Sequence, residues 1–341
     1  MRELVLPINL LPETAIEFSR HLSKIDLINN KELIQINISN FCKSNGRVEP
    51  FGALMVINSI RSLRRKCKLN GVPTQIKYTD ERFIRNTYAR SLRFYGSLGL
   101  DIGEKPETDY RVKSSSNFIP IIKADISDIS SAIHEQDELM VISKQLAEVI
   151  SKNNSNLYGY MEFSINEILR NVIEHSGKKE LWYCAQCWSS NKGGRCIEVA
   201  IMDEGIGIHN SLIKELEDEG KDVLKFALVP GCSSKPTTHY IDSATNSGFG
   251  LYMTSQIGKD NGNFILASNT DVLVASGKKE DISECLITGT IITLRLNIDK
   301  LQDYKVKRKE LVSKGLKETK RYLKYRETKM FAPGLKVDSF F

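Results

Sequence analysis

Residues 163–175 read FSINEILRNVIEH, and the rest of the chain is best understood around this stretch. Its apolar residues recur at helical spacing, which predicts an amphipathic helix with one buried face. Glu167, Asn171 and His175 follow one another at intervals of four and therefore share a second, polar face of that helix. An Asn carbonyl suits Mg²⁺, which keeps several of its own waters, and a Glu one turn away could deprotonate a nearby water or hydroxyl. An ordinary solvated helix is the alternative interpretation, because the same spacing arises there without a ligand.

Glycine-containing motifs follow this helix in a set order. They are residues 196–208 (CIEVAIMDEGIGI), residues 247–251 (SGFGL) and residues 289–296 (GTIITLRL). The first is an apolar strand pattern that ends at Asp203, the second precedes a helical pattern, and the third opens a last strand. Each motif is common when taken alone, so the information lies in their order and spacing.

Together the four motifs resemble those of the GHKL ATPase family, which includes gyrase, MutL, the large heat-shock chaperone, and histidine and anti-sigma-factor kinases. The family's Asn box is similar to Glu167-x-x-x-Asn171 in this chain. Its two glycine boxes are similar to Asp203-x-Gly205-x-Gly207 and to Gly248-x-Gly250-Leu251. The resemblance covers roughly residues 140–298. It implies a two-layer α/β (α+β) sandwich of the Bergerat type, with a mixed sheet, that binds ATP and Mg²⁺.

The resemblance also implies how the base would be bound. The Asp203 carboxylate would accept a hydrogen bond from the adenine amino group. Thr290 would form a hydrogen bond near the same Asp, although an ordinary strand Thr is nearly as good an interpretation. Gly205 and Gly207 would let the backbone approach the ring where a Cβ would collide.

The phosphates would lie at the start of the helix after Gly248 and Gly250, because backbone amides at a helix N-terminus form an anion site. Asn171 would hold Mg²⁺, and Glu167 would be the catalytic base. His175 resembles the basic residue that ends the box in anti-sigma kinases, with a core or capping histidine as an equal interpretation. The remaining candidate nucleotide contacts are Ser234 and Lys235, in a predicted lid over residues 209–246, and Ser247 and Leu251.

An acid at position 167 favours ATP hydrolysis or hydroxyl phosphorylation, because histidine kinases usually lack an acid there. The expected function is therefore an Mg·ATP-dependent ATPase or a Ser/Thr protein kinase-like regulator, in which ATP closes the lid and signals to a protein partner. A non-catalytic, nucleotide-gated switch that binds protein or nucleic acid is the first alternative. An atypical histidine kinase is the second, although His134-Glu135 lacks the Pro that usually follows a phosphoacceptor His-Glu.

The N-terminal part, residues 1–103, alternates strand and helix patterns and predicts a small α/β domain. One of its predicted helices covers residues 81–96. The domain resembles the STAS module of anti-anti-sigma factors. Glu49 and Pro50 stand where that family has a phosphoaccepting Ser or Thr, so a packing or partner-binding domain is an equal interpretation.

The remaining organisation follows from composition. Residues 104–136 read as a linker with a connecting strand, residues 137–298 as the ATP-binding domain, and residues 299–341 as a basic helical tail. Residues 300–337 hold 13 Lys and Arg against four acids, so the net charge of +6 belongs to this tail. Nucleic-acid binding by the tail and a homodimer stay open, the first not favoured. With no signal peptide, no membrane span and seven cysteines too few for a disulfide framework, a cytoplasmic location is expected.

Overall fold

The computed structural model has an α/β architecture with two sheets and helices packed against both. It describes residues 1–29, 31–107, 117–125, 132–178, 180–190, 194–212, 222–231 and 249–325. One sheet has three parallel strands and the other has seven strands. None of the helices in these ranges combines the length and apolar character that a membrane crossing needs.

The N-terminal sheet is built from strand–helix–strand units. Its strands are β1 (Arg2–Val5), β2 (Ile34–Asn37) and β3 (Thr74–Lys77), in that spatial order. Parallel strands need a crossover connection, and helices supply it. These helices are α1 (Pro12–Ser23), α2 (Ser39–Lys43) and α3 (Pro50–Leu69). The predicted order of strand, helix, strand and helix is confirmed.

Helix α3 is the central element of this part. It starts with Pro50, whose fixed φ suits the first helical turn. Residues 50–60 are all buried, so the first half of α3 is enclosed on every side. Its second half carries a cluster of Arg and Lys residues, a distribution that suits the helix macrodipole. A helix enclosed in this way must have structure on both sides.

The single helix predicted over residues 81–96 is wrong. The segment instead forms a short 3₁₀ turn, α4 (Thr87–Ser91) and α5 (Phe94–Ser97). The side chain of Asn86 accepts a hydrogen bond from the Ala89 amide at 3.1 Å and starts α4 anew. Arg93 has a φ of 64°, in the left-handed region that interrupts a helix. Its guanidinium is held there by Glu104 and Glu107.

The larger sheet has the order β4-β5-β6-β10-β7-β8-β9. Its strands are β4 (Phe118–Asp125), β5 (Glu180–Ser190), β6 (Gly194–Asp203), β7 (Gly262–Ser268), β8 (Asp271–Ser276), β9 (Lys279–Glu284) and β10 (Thr290–Asn297). Every pairing between these described strands is antiparallel, so the predicted mixed sheet is wrong for them. The reason is that β10 lies between β6 and β7 and runs antiparallel to both. The sheet also begins at β4, within the range that the sequence assigns to the linker.

Helices cover one face of the larger sheet. The long ones are α6 (Ala132–Ser151), α7 (Ser155–His175), α10 (Gly250–Asn261) and α11 (Tyr304–Tyr325), and α8 (Gly207–Leu212) and α9 (Val223–Ala227) are short. Side chains of β6 alternate between the faces, so Val199 and Ile201 join the core under these helices. Ala200 and Met202 point the other way, into the core of the N-terminal part.

The sequence predicts a two-layer sandwich of this sheet and its helices. The N-terminal part adds a third layer, on the other face of the sheet. Helices α1 and α3 lie between the small sheet and the larger one. A polar bond crosses this boundary as well: the Leu286 amide donates to the Ser19 hydroxyl of α1 at 2.8 Å. Within the N-terminal part, Ser59 of α3 donates to the same hydroxyl. Residues from both ends of the chain thus share one core.

Helix α11 is packed against α7 and α10. Leu311 and Val312 are buried, and the Thr319 hydroxyl donates to the Pro230 carbonyl at 2.9 Å. The Gly315 backbone lies against the rings of Phe249 and Tyr252. The first half of the predicted basic tail is thus part of the core between the larger sheet and its helices. Residues 326–341 lie outside the described ranges.

Candidate functional site

Asp203 ends β6 as a buried carboxylate that accepts several hydrogen bonds. The Gly205 amide donates to its Oδ1 at 2.7 Å. The backbone amide and the hydroxyl of Thr290, across the sheet on β10, donate to the same carboxylate. Gly289 has a φ of 81°, and a Cβ there would lie 2.3 Å from the Asp203 carbonyl oxygen. The turn into β10 must therefore be glycine for Asp203 and Thr290 to meet.

Burial raises the pKa of Asp203 to about 7, although the hydrogen bonds from Gly205 and Thr290 act in the opposite direction. Few carboxyl groups titrate near neutral pH, and those that do are concentrated at functional sites. The ionised carboxylate can accept a hydrogen bond, which is the role that the resemblance implies for it.

The other glycines of the first box are required by the protein's own packing. A Cβ on Gly205 would lie 2.1 Å from the carbonyl oxygen of Ser176, the residue after α7. Gly207 has a φ of 77°, and a Cβ on it would lie 2.6 Å from the side-chain oxygen of Asn269. The Ile206 amide, between them, donates to the Ser176 carbonyl at 2.9 Å. These glycines let the loop after Asp203 pack against the end of α7.

Glu167 lies in the middle of α7, and its carboxylate is against the first residue of α10. A Cβ on Gly250 would lie 1.8 Å from Glu167 Oε2. Arg170 Nη1 is 3.3 Å from Glu167 Oε1. Burial raises the pKa of Glu167, Glu174 adds to the rise, and the charges of Arg170 and Arg308 oppose it. A raised pKa brings a carboxylate closer to what a general base needs at neutral pH.

The start of α10 offers hydrogen-bond donors beside Glu167. The first amides of a helix lack intrahelical partners, and the macrodipole favours an anion there. The sequence predicts that this helix begins near Leu251. The structure confirms this to within one residue, because α10 begins at Gly250.

Asn171 follows Glu167 by one turn of α7 and is partly buried. Its Nδ2 is buried, and among the described residues it has no hydrogen-bond partner. A buried amide without a partner costs free energy unless something polar meets it. The amide therefore fits a polar ligand such as a phosphate group with its hydrated cation.

Of the remaining predicted nucleotide contacts, only His175 and Leu251 lie within the described residues. His175 ends α7 with its Nε2 3.8 Å from a carboxylate oxygen of Glu174, and Leu251 packs against the core. Ser234, Lys235, Ser247, Gly248 and most of the predicted lid lie outside the described residues. Within the lid range, α9 is anchored, because Leu224 is buried in the core under the helices.

Sequence reasoning missed the residues that hold this site from the opposite face of the sheet. Glu204 directly follows Asp203 and binds Arg61 and Arg65 of α3. Thr288 precedes the Gly289 turn and binds Asn58 of α3. The only sequence signal was alternation, which places Glu204 on the other face from Asp203 without saying what covers it.

Helix α7 thus links the parts of the site. Glu167 touches Gly250, and nine residues further on, about 13 Å along the helix axis, Ser176 touches Gly205 beside Asp203. The motifs predicted to act together are therefore close to one helix. Comparisons with known proteins found no matching family model, no matching curated protein and no matching solved structure.

Proposed function

We propose that this chain binds Mg·ATP between α7 and α10 and either hydrolyses it or transfers its terminal phosphoryl group to a Ser or Thr hydroxyl of a protein partner. The observation that carries this proposal is the position of α7. Its Glu167 meets the start of α10, and the residue after its end meets the loop that follows Asp203. Glu167 and Asn171 lie on α7 itself, and the loop after Asp203 lies against its C-terminal end, which supports the proposal.

The base end of the site is Asp203. Its carboxylate would accept a hydrogen bond from the adenine amino group, while Gly205 and Thr290 hold it in place. A guanine presents a carbonyl oxygen at the same position, which would face the carboxylate as a second acceptor. Selectivity for adenine over guanine follows from this mismatch, because an unpaired buried acceptor is costly.

The phosphate end lies at the start of α10. The first amides of α10 would donate to phosphate oxygens, and the Asn171 side chain would contribute to holding Mg²⁺. Bound Mg²⁺ would neutralise phosphate charge. Glu167 would then accept the proton of the attacking water or hydroxyl, which its raised pKa favours.

The finer parts of the proposal are a Bergerat-type arrangement for the domain with the seven-stranded sheet, a STAS-like N-terminal domain and a cytoplasmic location. A protein partner receives the signal. These rest on the resemblance of the motifs and on the layered α/β architecture.

Binding and turnover can be tested separately. Calorimetry with the full chain should show Mg²⁺-dependent affinity for ATP. Terminally radiolabelled ATP should yield free phosphate, or label on a Ser or Thr of an added protein. Glu167→Gln should keep ATP binding and lower turnover by about 10²- to 10⁴-fold, the usual contribution of a general base. Asp203→Ala should lose binding.

Two results would contradict the proposal. The absence of any adenine-nucleotide affinity in the wild type would remove it entirely. Unchanged turnover in Glu167→Gln would remove the base assignment. Binding without any turnover would instead favour a nucleotide-gated switch, a function that the direct contact between α3 and Glu204 also supports.

A further inference from the structure

Helix α3 runs along β6 on the sheet face that is opposite to the Asp203 carboxylate. Near its start, the Phe51 amide donates to Glu198 Oε1 at 2.8 Å. Just past its middle, Arg61 contacts Glu204, which directly follows β6. These contacts are about 15 Å apart along the helix and about 20 Å apart along the strand. The helix therefore lies under most of β6 and passes behind the base pocket, ending at Leu69.

The first contact behind the pocket is an ion pair. Arg61 binds Glu204 through two bonds, from Nε at 3.0 Å and from Nη2 at 2.9 Å. Arg65 binds the same carboxylate, and the Arg61 guanidinium lies over the Trp182 ring. Paired bonds between Arg and a carboxylate fix direction as well as distance. They hold the backbone of Glu204, which is bonded directly to Asp203.

The second contact is between an amide side chain and a backbone. Asn58 is fully buried; its Nδ2 donates to the Thr288 carbonyl at 2.9 Å and its Oδ1 accepts from the Thr288 amide at 2.8 Å. Ser62 bridges the Asn58 oxygen and the Thr288 hydroxyl. Asn58 thus binds residue 288 much as a neighbouring strand would. Two residues later, Thr290 donates to Asp203.

We propose that Asn58 and Arg61 are positioning residues for the base pocket, so that the N-terminal domain sets the adenine affinity and selectivity of a site it does not enter. This inference rests on the nucleotide site proposed above. Alternation along β6 explains the Arg61 contact: Asp203 faces the helices α7 and α10, whereas its neighbour Glu204 faces α3. On the β10 side, the left-handed Gly289 lies between Thr288, which faces α3, and Thr290, which faces Asp203. Loss of either α3 contact would let one of the two strand ends move and would misalign the acceptor.

Coupling of this kind is reciprocal. Nucleotide that orders the two strand ends would also favour the observed position of α3. A partner that binds the N-terminal domain and shifts α3 would weaken nucleotide binding by the same factor. The N-terminal domain is then the part of the chain through which a partner senses or changes nucleotide occupancy.

The test compares the affinities for ATP and GTP in the full chain. Asn58→Ala and Arg61→Gln should each weaken ATP binding by about tenfold and reduce the ratio of ATP to GTP affinity, within the usual range of coupling between sites. Glu204→Gln should act like Arg61→Gln. The double variant should lose less ATP-binding free energy than the sum of the two single losses, because the two residues share one contact.

Glu49→Gln is the matched control. Glu49 precedes α3 and contacts Arg295 across the same layer boundary, near Glu198 and far along β6 from Glu204. It should lower the melting temperature and leave the affinity ratio unchanged. The positioning role would be overturned if the loss of ATP affinity across these variants followed only their melting temperatures. It would also be overturned if Arg61→Gln kept the wild-type ratio of ATP to GTP affinity.

The outcomes are distinguishable from failure of the proposed function. If the wild type binds ATP and the α3 variants keep its affinity ratio, only this inference is wrong. If the wild type binds no adenine nucleotide, the proposed function fails and this inference fails with it. Should Asn58→Ala not fold, Arg61→Gln decides alone, since its side chain is partly exposed.

Discussion

Glu167 and Gly250 are so close that the Glu167 carboxylate fills the space where a side chain on residue 250 would begin. A Cβ there would be 1.8 Å from Oε2, a distance that non-bonded atoms do not reach. Gly250→Ala must therefore displace the carboxylate. We expect a loss of turnover of at least about 10²-fold, similar to removal of the base, with a smaller effect on ATP binding.

Gly71→Ala is the control for this change. Gly71 has a φ of 67° and open space around its Cβ position. The added methyl group should cost about 1 to 2 kcal/mol of stability through backbone strain and leave turnover intact. Equal turnover losses in both variants would show that Gly250 matters only for folding.

Asp203 should make stability depend on pH. Its pKa is about 7 in the folded chain, above the value of 3.8 for an ordinary Asp, because of burial. The folded state therefore binds the proton more tightly, so this stabilising contribution is complete at low pH and is lost as pH rises through about 7. Relative to Asp203→Asn, the wild type should lose about 2 kcal/mol of unfolding free energy between about pH 5.5 and about pH 8.

Urea denaturation of both proteins across this range measures the difference directly. Asp203→Asn keeps the size of the side chain and removes the titration. A constant difference between the two curves would mean that the Asp203 pKa is not raised.

Arg295 should be essential for stability because it lies between two buried carboxylates, Glu49 and Glu198. Its Nε donates to Glu198 Oε2 at 2.6 Å. Arg295→Met would leave Glu198 without its cation and Glu49 with only the exposed Arg47, and it should cost about 3 to 5 kcal/mol in urea denaturation. The matched control is Arg195→Met, since Arg195 pairs with Asp299 in solvent and should change stability by less than about 1 kcal/mol. Similar costs for both would contradict the buried network.

Gly315→Ala distinguishes a packed α11 from a solvated tail. In an exposed helix this change stabilises by about 1 kcal/mol, because Ala has the higher helix propensity. Here a Cβ would lie 2.5 Å from the Phe249 ring and 2.8 Å from the Tyr252 ring. The melting temperature should therefore fall, whereas Ser313→Ala on the exposed side of the same helix should leave it nearly unchanged. A stabilised Gly315→Ala would mean that α11 does not pack on α10.

The sequence predicts local elements well and layers poorly. Apolar periodicity correctly indicates α7 and the strand that ends at Asp203. It does not show that a third layer covers the sheet. An apolar pattern indicates that residues are buried, but it does not indicate which element of the fold covers them. Glu204 illustrates this limit: its burial depends on Arg61, 143 positions away. The prediction for residues 81–96 fails for a different reason. Asn86 starts a new helix, and the left-handed Arg93, which ion pairs hold in place, separates α4 from α5.

The bond between Ser19 and Leu286 has a consequence for how the chain is made. The two residues are 267 positions apart, yet they close the same core. At the usual pace of synthesis, about 5 to 20 residues per second, the side of α1 that Leu286 covers waits roughly 13 to 53 seconds on the ribosome before that residue is made. During that interval the nascent N-terminal segment presents a surface that a chaperone would bind, and the two parts become one folding unit only after residue 286 has emerged.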